Sequence, residues 1–163
     1  MLVITAGRTG PNRSVRFGGD LSLDERGRSD VTALAASARA DDVVIGGPER
    51  ATRESCELLA AAHAVDRRLA TLDVCDWSGL TPEEIDPADL RAWFTDPSAR
   101  PHGGEAITEF VERIHRWRSD ADPTPGLCVV AMPVAQALLA PDAAHYFAVE
   151  VRPSTIYEVS LDR

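Results

Sequence analysis

Three short apolar runs, each closed by turn-forming residues and followed by a stretch with helical spacing, constrain this chain more than any other feature. They are Leu2-Val3-Ile4-Thr5, running into Ala6-Gly7; Val43-Val44-Ile45, closed by Gly46-Gly47-Pro48; and Leu127-Cys128-Val129-Val130, running into Ala131-Met132-Pro133. Continuous apolar runs of this length read as strands buried on both faces. Between them, apolar residues recur at spacings of three and four. Val31, Leu34, Ala35 and Ala38 mark a helix over 25–40, and Ile107, Phe110, Val111, Ile114 and Trp117 mark one over 104–117. Pro48 suits the first turn of a helix reaching residue 62, and a last helix runs through Leu139. Further strands are expected at 69–74, 147–151 and 155–161. This alternation predicts a three-layer α/β/α domain with a mostly parallel central sheet.

The length, 163 residues, suits one domain with a real core. Residues 75–101 interrupt the alternation with Trp77, Trp93, Phe94, several prolines and two short helices, at 82–85 and 87–94. An insertion with its own aromatics is expected to be a lid or side wall of a site. The net charge of −9 and the scattered arginines argue against nucleic acid and anionic membrane as partners. No run approaches the ~18 apolar residues of a membrane span, and the N-terminal run is too short for a signal peptide, so a cytoplasmic location is expected. Cys56, Cys75 and Cys128 have no metal spacing, and their odd number does not suit a disulfide framework; they read as small buried residues. No metal or cofactor is expected.

In an open α/β sheet, ligands bind at the carboxyl ends of the strands. Here those ends are Thr5-Ala6-Gly7-Arg8-Thr9, Gly46-Gly47-Pro48-Glu49 and Ala131-Met132-Pro133. Two lead into helix N-termini, where free N–H groups favour an anion.

The loops resemble those of the histidine phosphatase superfamily, branch 1, the phosphoglycerate mutase-like proteins. The family's Arg-His-Gly-Glu-Thr, with an Asn three residues on, is similar to Thr5-Ala6-Gly7-Arg8-Thr9 and Asn12. Its Leu-Thr-x-x-Gly-Arg resembles Leu23-Asp24-Glu25-Arg26-Gly27-Arg28. Its Ser-Pro-Leu-x-Arg-Ala segment falls on Gly47-Pro48-Glu49-Arg50-Ala51-Thr52, its Trp-x-Gly-x-Thr on Trp77-Ser78-Gly79-Leu80-Thr81, and its Pro-x-Gly-Gly-Glu on Pro101-His102-Gly103-Gly104-Glu105. Its last motif, Ser-His-Gly-Gly, lies over Val130-Ala131-Met132-Pro133.

The resemblance implies a phosphate pocket of two His and two Arg, the first His becoming phosphorylated. In this chain the first Arg-His pair falls on Thr5-Ala6, the second Arg on Ala51 and the second His on Ala131. A shift of one place leaves Arg50 or Arg53 as a substitute guanidinium, but no shift supplies a histidine. Alanine has no lone pair to attack phosphorus. Glu105 matches the family's acid/base residue and is expected to act as one if anything catalytic survives. The expected pocket group is therefore Thr5, Ala6, Gly7, Arg8, Asn12, Ala51, Arg53, His102, Ala131 and Met132, with Glu105 beside it. The residues leave open whether the chain is an enzyme. The first reading is a scaffold without phosphohistidine chemistry that binds a small molecule or a protein partner, with a homodimer compatible. The alternative is an isomerase, cyclase, dehydratase or hydrolase acting on a non-phosphorylated metabolite through Glu105. A residual phosphatase is the least favoured.

Overall fold

The computed structural model describes residues 1–10, 16–37, 44–60, 62–120 and 125–160. Asn12, Ala38, Val43 and Leu161 lie outside the described residues.

The expected apolar runs form strands β1 (Leu2–Thr5), β2 (Val44–Gly46) and β4 (Leu127–Val130). With β3 (Ala64–Val65) and β5 (Ile156–Glu158) they make one sheet in the order β3-β2-β4-β1-β5. The ladders are parallel except β1 with β5, which is antiparallel. The register sets Thr5 beside Val130 and Gly46 beside Val129, so β1, β2 and β4 end at one edge.

Helices cover both faces. Helices α1 (Glu25–Ala33) and α2 (Arg50–Leu59) place Val31, Cys56 and Leu59 against Ile4, Val44, Leu127 and Val129. Helices α4 (Ile107–Asp120) and α5 (Met132–Leu139) place Phe110, Ile114, Val134 and Leu138 against Val3, Cys128 and Val130 on the other face. Alternate residues of β1 and β4 thus serve opposite cores, the period-two geometry of a strand. Helix α3 (Pro87–Thr95) belongs to the aromatic-rich stretch, which also holds short 3-10 turns at Cys75–Trp77 and Pro82–Glu84.

Two expected strands are absent, and the hydrogen bonds explain why. Over 69–74 the backbone serves loops and side chains: the Thr71 amide donates to the Glu49 carboxylate at 2.6 Å, and the Asp73 carbonyl accepts from the Glu105 amide at 2.9 Å. The place beside β2 goes to Ala64–Val65. Over 147–151 the carbonyls of Tyr146 and Val149 accept from the Gln136 side chain, and residues Ala143–Ala148 wind as a 3-10 helix. Helix α1 is shorter than its apolar stripe suggests; Leu34 caps it and a 3-10 turn, Ala35–Ser37, follows. Cys56 and Cys128 are buried, and burial pushes the Cys56 thiol up to about 12. Cys75 is exposed, with φ of 35°, contrary to the expectation of a buried residue. Among the described residues no helix is long and apolar enough to cross a membrane.

Candidate functional site

The carboxyl ends of β1, β2 and β4 open into a cavity of about 530 Å³. Ala6, Gly7 and Arg8 after β1, Glu49, Ala51 and Thr52 at the start of α2, and Ala131 after β4 with Met132, Pro133 and Gln136 of α5 face it from the sheet side. Thr9, Arg16–Leu21, Thr71, Leu72, Val74, Trp93, Tyr146, Phe147 and Pro153 complete the wall. The sheet ladder continues one bond beyond β1, the Ala6 amide donating to the Val130 carbonyl at 2.8 Å, so Ala6 and Ala131 stand at neighbouring strand ends. Helix α2 is clamped to the same edge. The Ser55 hydroxyl accepts from the Gly7 amide at 3.1 Å and donates to the Ala51 carbonyl at 2.7 Å.

Helix α1 comes unusually close to this loop. A Cβ on Gly27 would stand 2.3 Å from the Arg8 carbonyl oxygen, so only glycine allows the approach. The Asp24 amide donates to that carbonyl at 3.0 Å, while the Asp24 carboxylate caps α1 by accepting from the Gly27 amide at 2.6 Å.

The polar lining is mixed in charge. Arg8, half exposed, faces Asp24 at 3.5 Å. Arg16 donates to the Gly79 carbonyl at 2.6 Å and has Glu84 at 3.9 Å. Asp20 accepts from the Arg50 amide at 2.5 Å, at the positive end of α2. Glu49, the N-cap residue of α2, accepts from the Thr71 amide through one oxygen and faces the Thr52 hydroxyl at 3.5 Å through the other.

None of the chain's four histidines lines the cavity. His115 donates to the carbonyls of Ala137 and Ala140, and His145 pairs with Asp142 at 2.7 Å on the surface. Among the described residues no group of three His, Cys, Asp or Glu side chains is placed to hold a metal.

Of the residues singled out from the sequence, Ala6, Gly7, Arg8, Ala51, Ala131 and Met132 come together in the cavity. Five do not. Glu105 is not among the residues that line the cavity, and it forms a two-pronged pair with Arg113, at 2.8 and 2.9 Å. Arg53 lies on the exposed face of α2, and Arg50 pairs with Glu54 at 3.5 Å, so neither replaces the missing guanidinium. Thr5 is fully buried, its hydroxyl donating to the Arg152 carbonyl and accepting from the Thr155 amide. His102 is not a rim group. It is fully buried between Trp77 and Trp93, with ring centroids 5.1 and 6.2 Å away. Its Nδ1 accepts from the Gly104 amide at 3.0 Å, and its Nε2 has no partner. Burial lowers its pKa against the opposing pull of Asp73 and Asp76. Asn12 lies outside the described residues.

The sequence reading missed Glu49, Asp20, Gln136, Tyr146 and Phe147 in the lining. Glu49 sits in the quoted strand-end motif, and its neighbour Pro48 marks a helix start; those two facts together signal a carboxylate at the sheet edge. Tyr146, Phe147 and Gln136 carry no such signal, because the Gln136 bonds to residues 146 and 149 exist only in the folded chain.

A mostly parallel sheet covered on both faces, with a cavity where three strand ends meet two helix N-termini, defines an α/β protein with its site at the carboxyl edge of the sheet. Residues 2–140 match the family model of the histidine phosphatase superfamily, branch 1, and the chain belongs to that family. It is similar to the glucosyl-3-phosphoglycerate phosphatase of Mycobacterium tuberculosis, 29% identical over an alignment of 124 residues that covers 69% of this chain and 56% of that protein. The protein of the same name from Mycolicibacterium vanbaalenii is 27% identical over 124 residues, 55% of its length. The chain therefore spans just over half the length of the curated relatives it matches. The native structure of mycobacterial glucosyl-3-phosphoglycerate phosphatase superposes with a TM-score of 0.71 and 26% identity, covering 92% of this chain and 84% of that one. A phosphoserine phosphatase variant from Entamoeba histolytica, in complex with phosphoserine, superposes with a TM-score of 0.79 over 95% and 87% of the two chains. At 15% identity that likeness concerns the fold alone.

Proposed function

We propose that this chain binds a small molecule or a protein partner in the cavity and does not work through a phosphohistidine. The observation that carries this reading is the convergence of Ala6, Ala51 and Ala131 on one cavity. These are the positions where the family resemblance puts the nucleophile, the second arginine and the second histidine. Each offers a methyl group. A methyl can neither attack phosphorus nor grip its oxygens in the two-pronged manner of a guanidinium. Positioning and charge stabilisation supply most of the rate in phosphoryl transfer, so losing both together removes the basis of catalysis. The cavity volume of about 530 Å³ is within the range of small-molecule sites, and its aromatic wall suits an organic ligand.

The alternative of a Glu105-dependent enzyme draws no support from the arrangement, because Arg113 occupies that carboxylate. The test is direct. The purified full chain is incubated with glucosyl-3-phosphoglycerate, phosphoserine and a generic aryl phosphate, and released phosphate and acid-labile phosphoprotein are measured. Neither rises above the no-protein control under this reading. Release that is lost in Arg8→Ala, or a phosphorylated histidine on the protein, overturns it.

A further inference from the structure

Resting on the reading that the cavity is a binding site without phosphohistidine, we infer that its ligand is a primary amine carried on an apolar or aromatic body, with the ammonium group at Glu49.

Several of the groups that would hold an anion are already used by the protein itself. At the start of α2 the Arg50 amide donates to Asp20, so an entering anion meets a carboxylate beside the helix end. At the start of α5 the second residue is Pro133, which has no N–H, and the amides of Val134 and Ala135 donate to the Ala131 carbonyl at 3.0 and 3.1 Å. The two arginines of the lining are also engaged: Arg8 faces Asp24, and Arg16 bonds the Gly79 carbonyl beside Glu84.

Acceptors, by contrast, are in excess. Glu49 borders both the main cavity and an adjoining hollow of about 250 Å³ that Asp73 also borders. One Glu49 oxygen takes the Thr71 amide; the other has only the Thr52 hydroxyl, at the long distance of 3.5 Å. Among the described residues no basic side chain lies within 4.0 Å of Glu49. Both amide hydrogens of Gln136 are spent on the carbonyls of Tyr146 and Val149, which leaves its oxygen as the atom it can offer a ligand. An ammonium group brings three donors and no acceptor, the complement of this set. The wall of Phe17, Trp93, Tyr146 and Phe147 suits the rest of such a ligand, and aromatic faces attract cations.

The test is isothermal titration of the full chain with 2-phenylethylamine, its N-acetyl derivative and phenyl phosphate. The amine is expected to bind about tenfold or more tighter than the acetylated form, which has lost the charge, and tighter than the ester. Glu49→Gln keeps an oxygen for the Thr71 amide and removes the charge; it is expected to abolish the preference for the amine. The wild-type comparison stands even if that variant does not fold. The inference falls if the ester binds as well as the amine, if no probe binds, or if Glu49→Gln keeps the wild-type preference. Phenyl phosphate that binds and stays intact sinks this inference and spares the proposed function; phenyl phosphate cleaved to phenol sinks both.

Discussion

The Asp20 carboxylate sits on the backbone amide of Arg50, 2.5 Å away, at the positive end of α2. The chain thereby fills, with its own loop, a position open to an anion at other helix ends. Asp20→Ala is expected to lower stability by about 0.5–1 kcal/mol, the range for losing a helix-end acceptor. It should also tighten inorganic phosphate several-fold. Urea unfolding and phosphorus NMR titration check the two effects, and unchanged phosphate affinity would contradict the role given to Asp20.

Gly27 offers a case where helix propensity and packing oppose each other. Alanine in a helix interior gains up to ~1 kcal/mol over glycine. Here its Cβ would press on the Arg8 carbonyl at 2.3 Å and the Arg8 amide nitrogen at 2.7 Å. Overpacking of that severity costs about 1–3 kcal/mol. Gly27→Ala is therefore expected to lower the Tm by a few degrees, about 2–4 °C per kcal/mol lost. A rise in Tm would mean that α1 yields without strain.

The Glu105–Arg113 pair separates stability from binding. Arg113 also donates to the carbonyls of Arg68 and Ala70, at 2.7 and 3.1 Å, and so ties α4 to the 68–70 turn. Glu105→Gln is expected to cost about 1–2 kcal/mol, as a charge-assisted pair becomes a neutral contact. Ligand affinity in the cavity should stay at the wild-type value. Chemical denaturation and the titration described above read the two quantities independently.

His102 makes stability depend on pH. Burial lowers its folded pKa below the usual 6.5, so the folded state favours the neutral ring. The unfolded chain takes up the proton first as pH falls. Stability contributed by the neutral ring is complete above about pH 6.5 and declines below it, until the folded pKa is passed. A second loss follows in stronger acid. The Arg68 guanidinium, with the Trp117 indole, holds Asp66 at about 2, and the contribution of that carboxylate is lost as pH falls from its unfolded value near 4 toward 2. Denaturant midpoints from pH 8 to 5 should fall in the wild type and fall less in His102→Gln. Parallel curves for the two proteins would remove His102 as the cause.

Much of the scaffold was legible because local pattern and burial coincide. Leu127–Val130 reads as a strand buried on both faces, and all four residues are buried. The Ile107–Trp117 stripe reads as one helix face, and its five apolar residues are buried. The pattern misleads where side chains capture the backbone. Residues 69–74 have a strand's composition, yet Glu49 takes the Thr71 amide that a ladder would need. His102 carries no mark of burial in its Pro-His-Gly-Gly setting; the aromatic box around it comes from Trp77 and Trp93, residues of two different short elements.

Sequence alone settled the alternation of buried strands and amphipathic helices, and with it the methyl groups at the ends of β1 and β4. Those properties follow from side-chain type and from periods of two and 3.6 residues, which are local. Tertiary structure decided which carboxylate meets the cavity. Glu105 is held by Arg113 of α4 and does not line the cavity, whereas Glu49 lines it with one oxygen on the Thr71 amide, which the chain folds against the start of α2. Side-chain direction depends on partners brought together only by packing, and no spacing in a linear chain specifies them.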